Sequence, residues 1–236
     1  MNLLKKFKKK KKTPTSIARK LVTVTDPKSI ISEQFRSIRT NITFSLPEKG
    51  LTTILVSSSM PSEGKSTIAA NIGVVYAQEG KRVLIVDADM RKPTLHFTFD
   101  IFNTQGLSNI LARQISAQDA IQETFMVGLY VLTCGNIPPN PSELLASKQL
   151  ESFIEEMEQY FDIIIFDAPP LLSVADAQIL SNKCDGTILI VDSGKSNKSD
   201  VVKAKSALMA SKARIVGVVM NNFDLPKNSY YYQYYR

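Results

Sequence analysis

The sequence predicts an α/β fold, a single domain in which a mainly parallel central sheet carries helices on both faces. Short apolar and β-branched runs alternate along the chain with segments of helical periodicity. The runs are apolar throughout, as expected for strands that are buried on both faces. Acidic residues follow several of these runs, at the edge where such sheets bind their ligands.

The predicted elements alternate regularly from residue 29 onward. Residues 29–44 form the first predicted helix, because apolar residues recur there at helical spacing and Ser29 or Ser32 can cap its start. Strands are predicted at 52–56, 82–86, 129–132, 162–166, 187–191 and 215–220. Further helices are predicted at 66–79, 106–111, 117–124, 142–160, 174–182 and 199–211. Residues 97–105 and 135–141 are predicted loops.

The composition fits one globular domain and excludes several classes of site. The chain has 236 residues, 44% of them hydrophobic, and no apolar run of the roughly 18 residues that span a membrane. No export signal is predicted, because lysines follow Leu3 and Leu4 at once. Cys134 and Cys184 are far apart and His96 is the single histidine, so we expect no zinc site, no disulfide and a reducing cytoplasm. A single histidine argues against Ser/His/Asp and Cys/His hydrolases unless His96 serves, and we give His96 no role because a lone histidine is more often structural.

The positive charge is concentrated near the N-terminus. The net charge is +7, and seven lysines lie between Lys5 and Lys12, so the rest of the chain is near neutral. This segment could lie against anionic lipid, where each basic residue contributes about 1 kcal/mol, or against nucleic acid phosphates, or in solvent. We expect residues 1–27 to form this basic arm and, from residue 13, an extended linker ending at Asp26 and Pro27.

A glycine-lysine string follows the first predicted strand and precedes a predicted helix, the order that a phosphate-binding loop requires. It reads Ser59-Met60-Pro61-Ser62-Glu63-Gly64-Lys65-Ser66-Thr67. The free N–H groups of the helix favour an anion, Lys65 supplies charge for the outer phosphates, and the Ser66 hydroxyl can hold Mg²⁺. Ser59 stands where the usual pattern has its first glycine. The string predicts a P-loop NTPase type of fold that binds a nucleoside triphosphate; a chance match in a loop is the alternative.

Three aspartates follow predicted strands at the same edge. Asp87 and Asp89 follow the second strand, and the alternation of side chains in an extended chain would point both toward one pocket. Asp167 follows the fourth strand, where P-loop proteins have a second magnesium anchor. These carboxylates can hold Mg²⁺ or accept a proton, or each can be an ordinary turn residue. Arg91 and Lys92 either stabilise a transferring phosphoryl group or pair with the acidic residues.

Taken together, these strings resemble the bacterial tyrosine autokinases of capsular and extracellular polysaccharide synthesis, in the cytoplasmic form typical of Gram-positive bacteria. The likeness spans a kinase domain at residues 28–224 and a flexible tail at 225–236. It rests on Pro61-Ser62-Glu63-Gly64-Lys65-Ser66-Thr67, Val86-Asp87-Ala88-Asp89-Met90-Arg91-Lys92-Pro93, Phe166-Asp167-Ala168-Pro169-Pro170, Glu33-x-x-Arg36-x-x-Arg39 and a terminal tyrosine cluster. The commoner family loop reads Pro-Gly-Glu-Gly, and this chain has Ser62 in place of the first of those glycines.

The resemblance implies residue roles in an ATP- and Mg²⁺-dependent transfer to tyrosine. Ser66, Asp87 and Asp167 would hold Mg²⁺. Asp89 would orient or deprotonate the acceptor phenol, although Asp87 and Asp89 could exchange roles. Lys65, from its place in the loop, and Arg91, from its charge near the transferring phosphoryl group, complete the predicted catalytic set. The implied nucleotide-binding residues are Ser62, Glu63, Gly64, Lys65, Ser66, Thr67 and Asn221, with Asn221 or Asn222 either against the adenine or simply in a turn.

The resemblance also implies that C-terminal tyrosines accept the phosphate. Five of the eight tyrosines are Tyr230, Tyr231, Tyr232, Tyr234 and Tyr235. Because they follow Pro226 and have no aliphatic neighbours, we expect them outside the core. The segment 223–236 could extend about 45 Å, far enough to reach a neighbouring subunit.

Glu33, Arg36 and Arg39 repeat at every third residue on one face of the first predicted helix. They form either a local ion pair, contributing about 0.3 to 0.5 kcal/mol, or, by the resemblance, the contact that closes a ring-shaped homo-oligomer. Phosphate on the tail would add about −1.5 to −2 charge per tyrosine and loosen this ring.

The implied partners are a membrane adaptor whose cytoplasmic tail stimulates the kinase and a cognate tyrosine phosphatase, with no nucleic acid. The protein would be cytoplasmic and recruited to the inner face of the cell membrane, helped by the lysine-rich segment. Two alternatives stay open. A partition-type ATPase would carry an extra lysine at the position of Met60, and a nucleotide-sensing scaffold of the polysaccharide machinery would bind nucleotide without transfer.

Overall fold

The computed structural model describes residues 21–45 and 52–224. The lysine-rich segment and the tyrosine cluster lie outside these residues. Within them the chain forms one seven-stranded sheet with apolar cores on both faces, which confirms the predicted fold class. The division into arm, domain and tail stays a prediction.

The central sheet is parallel except at one edge. Its strands are β1 (Thr53–Ser58), β2 (Val83–Asp87), β3 (Gln122–Glu123), β4 (Leu129–Leu132), β5 (Ile163–Asp167), β6 (Gly186–Asp192) and β7 (Ile215–Asn221). They lie in the order β3-β4-β2-β5-β1-β6-β7, and β3 runs antiparallel to β4.

Helices cover both faces of this sheet. Those in the described ranges are α1 (Val22–Thr25), α2 (Ile30–Phe44), α3 (Lys65–Gln78), α4 (Leu95–Phe99), α5 (Leu107–Leu111), α6 (Ala117–Ala120), α7 (Pro141–Ala146), α8 (Lys148–Met157), α9 (Asp176–Lys183) and α10 (Lys198–Ala210). Side chains of α2, α3 and α4 pack on one face, and those of α5 to α10 pack on the other. Over residues 21–45 and 52–224, no helix is both long enough and apolar enough to cross a bilayer.

The central strand β1 shows how the apolar runs divide between the two faces. Ile54 and Val56 belong to the core that contains α2 and α3, whereas Leu55 belongs to the opposite core. All three side chains are fully buried. A strand covered on both sides presents successive side chains to different apolar layers, so its sequence is continuously apolar.

The structure confirms all six predicted strands to within two residues and corrects several other predictions. It adds β3, whose two residues are too few to show a periodic pattern. The predicted helix 117–124 is wrong beyond Ala120, where the chain becomes extended and enters β3. The predicted helix 142–160 is two helices, because Ser147 is extended with φ −73° and ψ 157°. The predicted loop 97–105 begins inside α4.

The extended linker predicted up to Pro27 is wrong for its last part. Val22–Thr25 forms a helical turn, and Leu21 is fully buried. Asn71 of α3 fixes this turn, because its side-chain oxygen accepts hydrogen bonds from the Thr23 N–H at 3.1 Å and from the Thr23 hydroxyl at 2.7 Å. The segment therefore packs against α3.

The strand order brings the carboxyl ends of β2, β5 and β1 together at one edge. Asp87 at the end of β2 pairs in register with Asp167 at the end of β5. Asp167 also pairs in register with Val56 of β1. The loop that follows β1, which contains the glycine-lysine string, therefore lies beside both aspartates.

Candidate nucleotide and metal site

The predicted phosphate loop joins β1 to the start of α3. Gly64, the N-cap residue of α3, has φ 91°, a conformation that residues with a side chain rarely adopt. A Cβ atom at Gly64 would also lie 2.3 Å from Asn221 Nδ2. Glycine at this position therefore allows the loop to turn directly into α3 and leaves the N–H groups of its first turn available to an anion.

Ser62 also has a left-handed backbone, with φ 65°. For a residue with a side chain this conformation costs about 1 to 2 kcal/mol, a cost that glycine avoids. Ser62 is exposed and lines the pocket described below. The backbone at this position therefore has a conformation that favours glycine, and Ser62 adopts it at a cost in conformational energy.

The Lys65 ammonium lies among the predicted carboxylates. Its Nζ is 3.0 Å from Asp89 Oδ2 and 3.6 Å from Asp167 Oδ1. The Ser66 hydroxyl lies 3.3 Å from the same Nζ. Burial disfavours the charged ammonium, but the surrounding carboxylates outweigh burial and raise the pKa of Lys65. Lys65 is therefore positively charged, and its contacts with these carboxylates fix its ammonium group.

Asp87 and Asp167 lie side by side and are fully buried. Asp87 Oδ2 accepts hydrogen bonds from the backbone N–H groups of Thr94 and Leu95, both at 3.0 Å. Asp87 Oδ1 and both Asp167 oxygens have no donor within hydrogen-bond distance among the described residues, although the Lys65 ammonium lies 3.6 Å from Asp167 Oδ1 and, with Ser66, favours the charged form of that carboxyl. Burial raises the pKa of both carboxyls, and for Asp87 the neighbouring Asp167 charge adds to this effect. Buried carboxylate oxygens without donors are uncommon, and hard oxygen ligands of this kind suit Mg²⁺.

The donor set fits a Mg²⁺ ion that is bound together with phosphate. No cluster of three or more His, Cys, Asp or Glu side chains with metal-binding geometry occurs at residues 21–45 and 52–224. Mg²⁺ commonly takes one or two carboxylates and completes its shell with phosphate oxygens and water. Ser66, Asp87 and Asp167 offer a hydroxyl and two carboxylates, which fits this mode of binding.

Asp87 and Asp89 are not equivalent, contrary to the prediction from strand alternation. The strand β2 ends at Asp87, so the alternation does not extend to Asp89. Asp89 lines the pocket, and its Oδ1 accepts a hydrogen bond from the Lys92 N–H at 3.0 Å while its Oδ2 faces Lys65. A substrate in the pocket can therefore reach Asp89, whereas Asp87 lies beneath it.

Arg91 pairs with Asp176, the first residue of α9, which the sequence did not single out. Arg91 Nε lies 2.9 Å from one Asp176 oxygen, and Arg91 Nη2 lies 3.2 Å from the other. Asp176 is fully buried, whereas the Arg91 side chain is 41% exposed and lines the pocket. Of the two predicted roles for Arg91, pairing with an acidic residue is the one seen here. An aspartate that begins a helix is usually explained by the helix dipole, so this pair had no sequence signal.

The site opens into a pocket of about 470 Å³. One wall is the phosphate loop with the start of α3, including Ser62, Gly64, Lys65, Ser66 and Thr67. The lining also includes apolar and hydroxyl-bearing side chains: Thr94, Thr98, Pro169, Pro170, Ser173 and Val174. A pocket of this size lies within the usual range of small-molecule and cofactor sites.

Glu63 of the loop and Asn221 at the end of β7, both predicted to bind nucleotide, are not among the residues that line this pocket. Glu63 is 1% exposed. Its carboxylate accepts hydrogen bonds from the Ser59 hydroxyl at 2.9 Å and the Met60 N–H at 3.0 Å. Asn221 Nδ2 donates to the Glu63 carbonyl at 3.0 Å. Ser59, which replaces the usual first glycine, therefore contributes to the support of the loop.

The three predicted oligomerisation residues make contacts within the chain. Glu33 and Arg36 form an ion pair on α2. Arg39 Nη1 donates to the Val75 carbonyl at 3.1 Å, and its Nε lies 3.5 Å from the Glu79 carboxylate. The local ion pair is present, and the subunit contact stays a prediction.

The two cysteines and the histidine lie outside the lining of the pocket. Cys134 and Cys184 are free and buried. Burial raises the pKa of Cys134 to about 12, so its thiol is protonated at neutral pH. Burial lowers the pKa of His96.

The fold and the site define a P-loop nucleotide-binding protein. A lysine begins the helix that follows the loop, and two buried aspartates end adjacent strands beside it. A strand before the string and a helix after it are the structural context that identifies a glycine-lysine string as a phosphate-binding loop.

Comparisons with known proteins identify the family. A model of the AAA domain matches residues 51–199. The chain is 46% identical over 225 residues to tyrosine-protein kinase YwqD of Bacillus subtilis (strain 168), covering 95% of each. It is 45% identical over 209 residues to the putative tyrosine-protein kinase CapB of Staphylococcus aureus, covering 89% of this chain and 92% of CapB. The crystal structure of the chimerical protein CapA2B2 matches with a TM-score of 0.84 and 43% identity, covering 87% of this chain and 91% of the chimera. The chain therefore belongs to the bacterial tyrosine-protein kinases.

The strain at Ser62 can be measured by substitution. We expect Ser62→Gly to be more stable than Ser62→Ala by about 1 kcal/mol, because alanine keeps the Cβ atom that the left-handed backbone disfavours. Thermal unfolding of the two variants checks this, with an expected difference of about 2 to 4 °C. Equal melting temperatures would show that the loop accommodates a Cβ atom without strain.

The buried carboxylates predict a pH dependence of stability in metal-free buffer. The folded-state pKa of Asp87 lies above its unfolded value of 3.8, so the folded protein holds this proton more tightly. The associated stability is present at low pH and is lost as pH rises toward the folded-state pKa. We expect Asp87→Asn to be more stable than the wild type at pH 8 and to lose less stability between pH 5 and pH 8.

Thermal unfolding across this pH range, with and without Mg²⁺ and ADP, measures the effect. Asp224→Asn removes an exposed carboxylate and serves as the matched control. We expect added Mg²⁺ and ADP to stabilise the wild type more than Asp87→Asn. A pH profile of Asp87→Asn that coincides with that of the wild type would contradict the assignment.

Proposed function

We propose that this chain is an ATP- and Mg²⁺-dependent kinase that phosphorylates tyrosines of its own C-terminal cluster, between subunits. The observation that carries this proposal is the position of the Lys65 ammonium, within 3.6 Å of carboxylate oxygens of both Asp89 and Asp167 at the start of α3. The sequence identity to named tyrosine-protein kinases supports the choice of tyrosine as the acceptor.

In this proposal Ser66, Asp87 and Asp167 hold the metal ion. Asp87 lies at the end of β2, Asp167 at the end of β5 and Ser66 in the first turn of α3. When bound, Mg²⁺ neutralises phosphate charge and so favours attack on the outer phosphate. The three side chains fix where that positive charge sits relative to the loop.

Asp89 is the proposed proton acceptor. It lines the pocket, and Lys65 faces one of its oxygens at 3.0 Å. A bound triphosphate competes for the Lys65 ammonium and frees this oxygen. A phenol has a pKa near 10, so a carboxylate beside it assists its deprotonation.

Arg91 has a positioning role in the proposal. Its two hydrogen bonds to Asp176 hold the guanidinium at the edge of the pocket while a large part of the side chain stays exposed. A cation held there favours the approach of a phosphorylated group through charge. Glu63 and Asn221 support the loop, as their contacts indicate.

Labelled ATP separates the proposal from its two alternatives. The full chain is incubated with Mg²⁺ and ATP labelled at the γ-phosphate, and the label is located. We expect label on Tyr230, Tyr231, Tyr232, Tyr234 or Tyr235, and a loss of at least about 100-fold in rate for Lys65→Met. A variant with all five tyrosines changed to phenylalanine should bind ATP and accept no label in its tail.

Other outcomes would overturn the kinase proposal. Released phosphate without labelled protein would indicate a partition-type ATPase, although that class carries a lysine where this chain has Met60. Nucleotide binding without either product would indicate a scaffold. Lys65→Met distinguishes activity of this chain from that of a contaminating kinase.

We further propose that the kinase acts in capsular or extracellular polysaccharide synthesis with a membrane adaptor and a cognate tyrosine phosphatase. The resemblance to that family and the match to a protein named CapB support this. The chain would work in the cytoplasm at the inner face of the membrane, where Lys5 to Lys12 could contact anionic lipid. Sedimentation with vesicles tests the lipid contact; equal binding to neutral and anionic vesicles would contradict it.

A ring-shaped homo-oligomer would bring each tail to the next subunit. Glu33, Arg36 and Arg39 lie on α2, partly exposed, which leaves part of this face accessible to a neighbour. We expect the dephosphorylated full chain to sediment as a larger species than the phosphorylated chain, because charge on the tail opposes assembly. Sedimentation velocity checks this, with Arg36→Glu as an interface variant. Identical sedimentation of both forms would contradict the switch.

A further inference from the structure

A buried carboxylate lies inside a loop that is built to hold an anion. Burying a carboxylate is unfavourable unless donors or a cation compensate it. Donors do so for Glu63: its carboxylate accepts hydrogen bonds from the Ser59 hydroxyl, the Met60 N–H and the Ser196 hydroxyl. Two of these donors belong to the loop itself, and the third comes from the segment after β6.

Ser196 connects the loop to the carboxyl ends of β6 and β7. Its hydroxyl donates to Glu63 Oε1 and accepts a hydrogen bond from the Asp192 N–H at 2.8 Å. Asp192 is 1% exposed, and its Oδ2 accepts a hydrogen bond from Asn222 Nδ2 at 2.9 Å. One series of hydrogen bonds therefore runs from the phosphate loop to two neighbouring strand ends.

The main chain of Glu63 has a second, separate connection to the same strand ends. Its carbonyl accepts a hydrogen bond from Asn221 Nδ2 at 3.0 Å. The Asn221 carbonyl in turn accepts one from the Ser193 N–H at 2.9 Å. Glu63 is thus fixed through both its side chain and its backbone, immediately before Gly64 turns the chain into α3.

We propose that Glu63 is a positioning residue for nucleotide binding, with Ser59 and Ser196 as its partners. The carboxylate holds the loop in the open shape in which its N–H groups point at the phosphates, and it touches no phosphate itself. A carboxylate suits this task because it accepts at both oxygens, whereas an amide of equal size would turn an NH₂ group toward one of the donors. Because the loop is preorganised for the ground state, its loss should weaken nucleotide binding more than it slows transfer.

The inference rests on the proposed nucleotide site but not on tyrosine as the acceptor. The test therefore uses a titration of the full chain with a fluorescent ATP analogue in Mg²⁺, together with KM and kcat for phosphorylation. We expect Ser196→Ala to weaken binding about 10-fold, as for a lost hydrogen bond to a charged group, with kcat changed less than about twofold. Ser206→Ala on α10 removes an exposed serine that bonds to the Val202 carbonyl and should bind as the wild type does.

A double-mutant cycle shows whether the residues act as one unit. Glu63→Gln should weaken binding, and the Glu63→Gln, Ser196→Ala double variant should be little weaker than Glu63→Gln alone. Ser196→Thr retains the hydroxyl and should restore wild-type affinity. Additive losses, a Ser196→Ala affinity within about twofold of wild type, or no recovery in Ser196→Thr would each overturn the proposal. Absence of tyrosine labelling in the wild type would instead overturn the kinase proposal. The conclusion on Glu63 would still hold, because it is measured by nucleotide binding.

Discussion

The arrangement of the site depends on one buried ammonium among several carboxylates. The register of β2 and β5 forces Asp87 and Asp167 side by side, and Asp89 follows two residues later. Burial raises the pKa of Asp87 and Asp167, so both resist ionisation. The Lys65 ammonium, 3.0 Å from Asp89 and 3.6 Å from Asp167, compensates part of the negative charge of the three carboxylates. When all three carboxylates are ionised, one lysine leaves an excess of negative charge, which a divalent cation can neutralise.

The phosphate loop connects β1 to α3 although serines, Ser59 and Ser62, stand at two positions where glycine is expected. Gly64 is retained where both its φ of 91° and its approach to Asn221 require it. Ser62 adopts a left-handed backbone at a cost. Ser59 uses its hydroxyl to bind the Glu63 carboxylate. The departure at Ser59 therefore supports the loop with a hydrogen bond that a glycine could not form.

The sequence was sufficient for the sheet because its strands are buried on both faces. Ile54, Leu55 and Val56 face two different apolar layers, so the whole strand is apolar and easily recognised. The strand-end aspartates followed from that assignment. Features that depend on one or two residues could not be predicted, because a periodic pattern needs a longer segment. Examples are the two-residue strand β3 and the break between α7 and α8 at Ser147.

The electrostatic partners in the site could not be predicted for a different reason. Asp176 and Ser196 lie far along the chain from Arg91 and Glu63, the residues that they bind. Neither has a periodic or motif signal, because a long-range ion pair or hydrogen bond leaves no spacing in the sequence. Asp89 was predicted to share the orientation of Asp87, and the end of β2 at Asp87 removed the basis for that prediction.

The helix α3 links the phosphate loop to the rest of the domain. Every residue from Ile68 to Ala77 is buried, so the position of its first turn is fixed by the core. Asn71 binds the N-terminal turn at Thr23, and the Val75 carbonyl accepts a hydrogen bond from Arg39 of α2. A subunit contact through α2 would therefore act on the same rigid helix that begins with Lys65. If the proposed ring forms through α2, assembly and nucleotide binding would share this helix, which could couple the two events without rearrangement of the sheet.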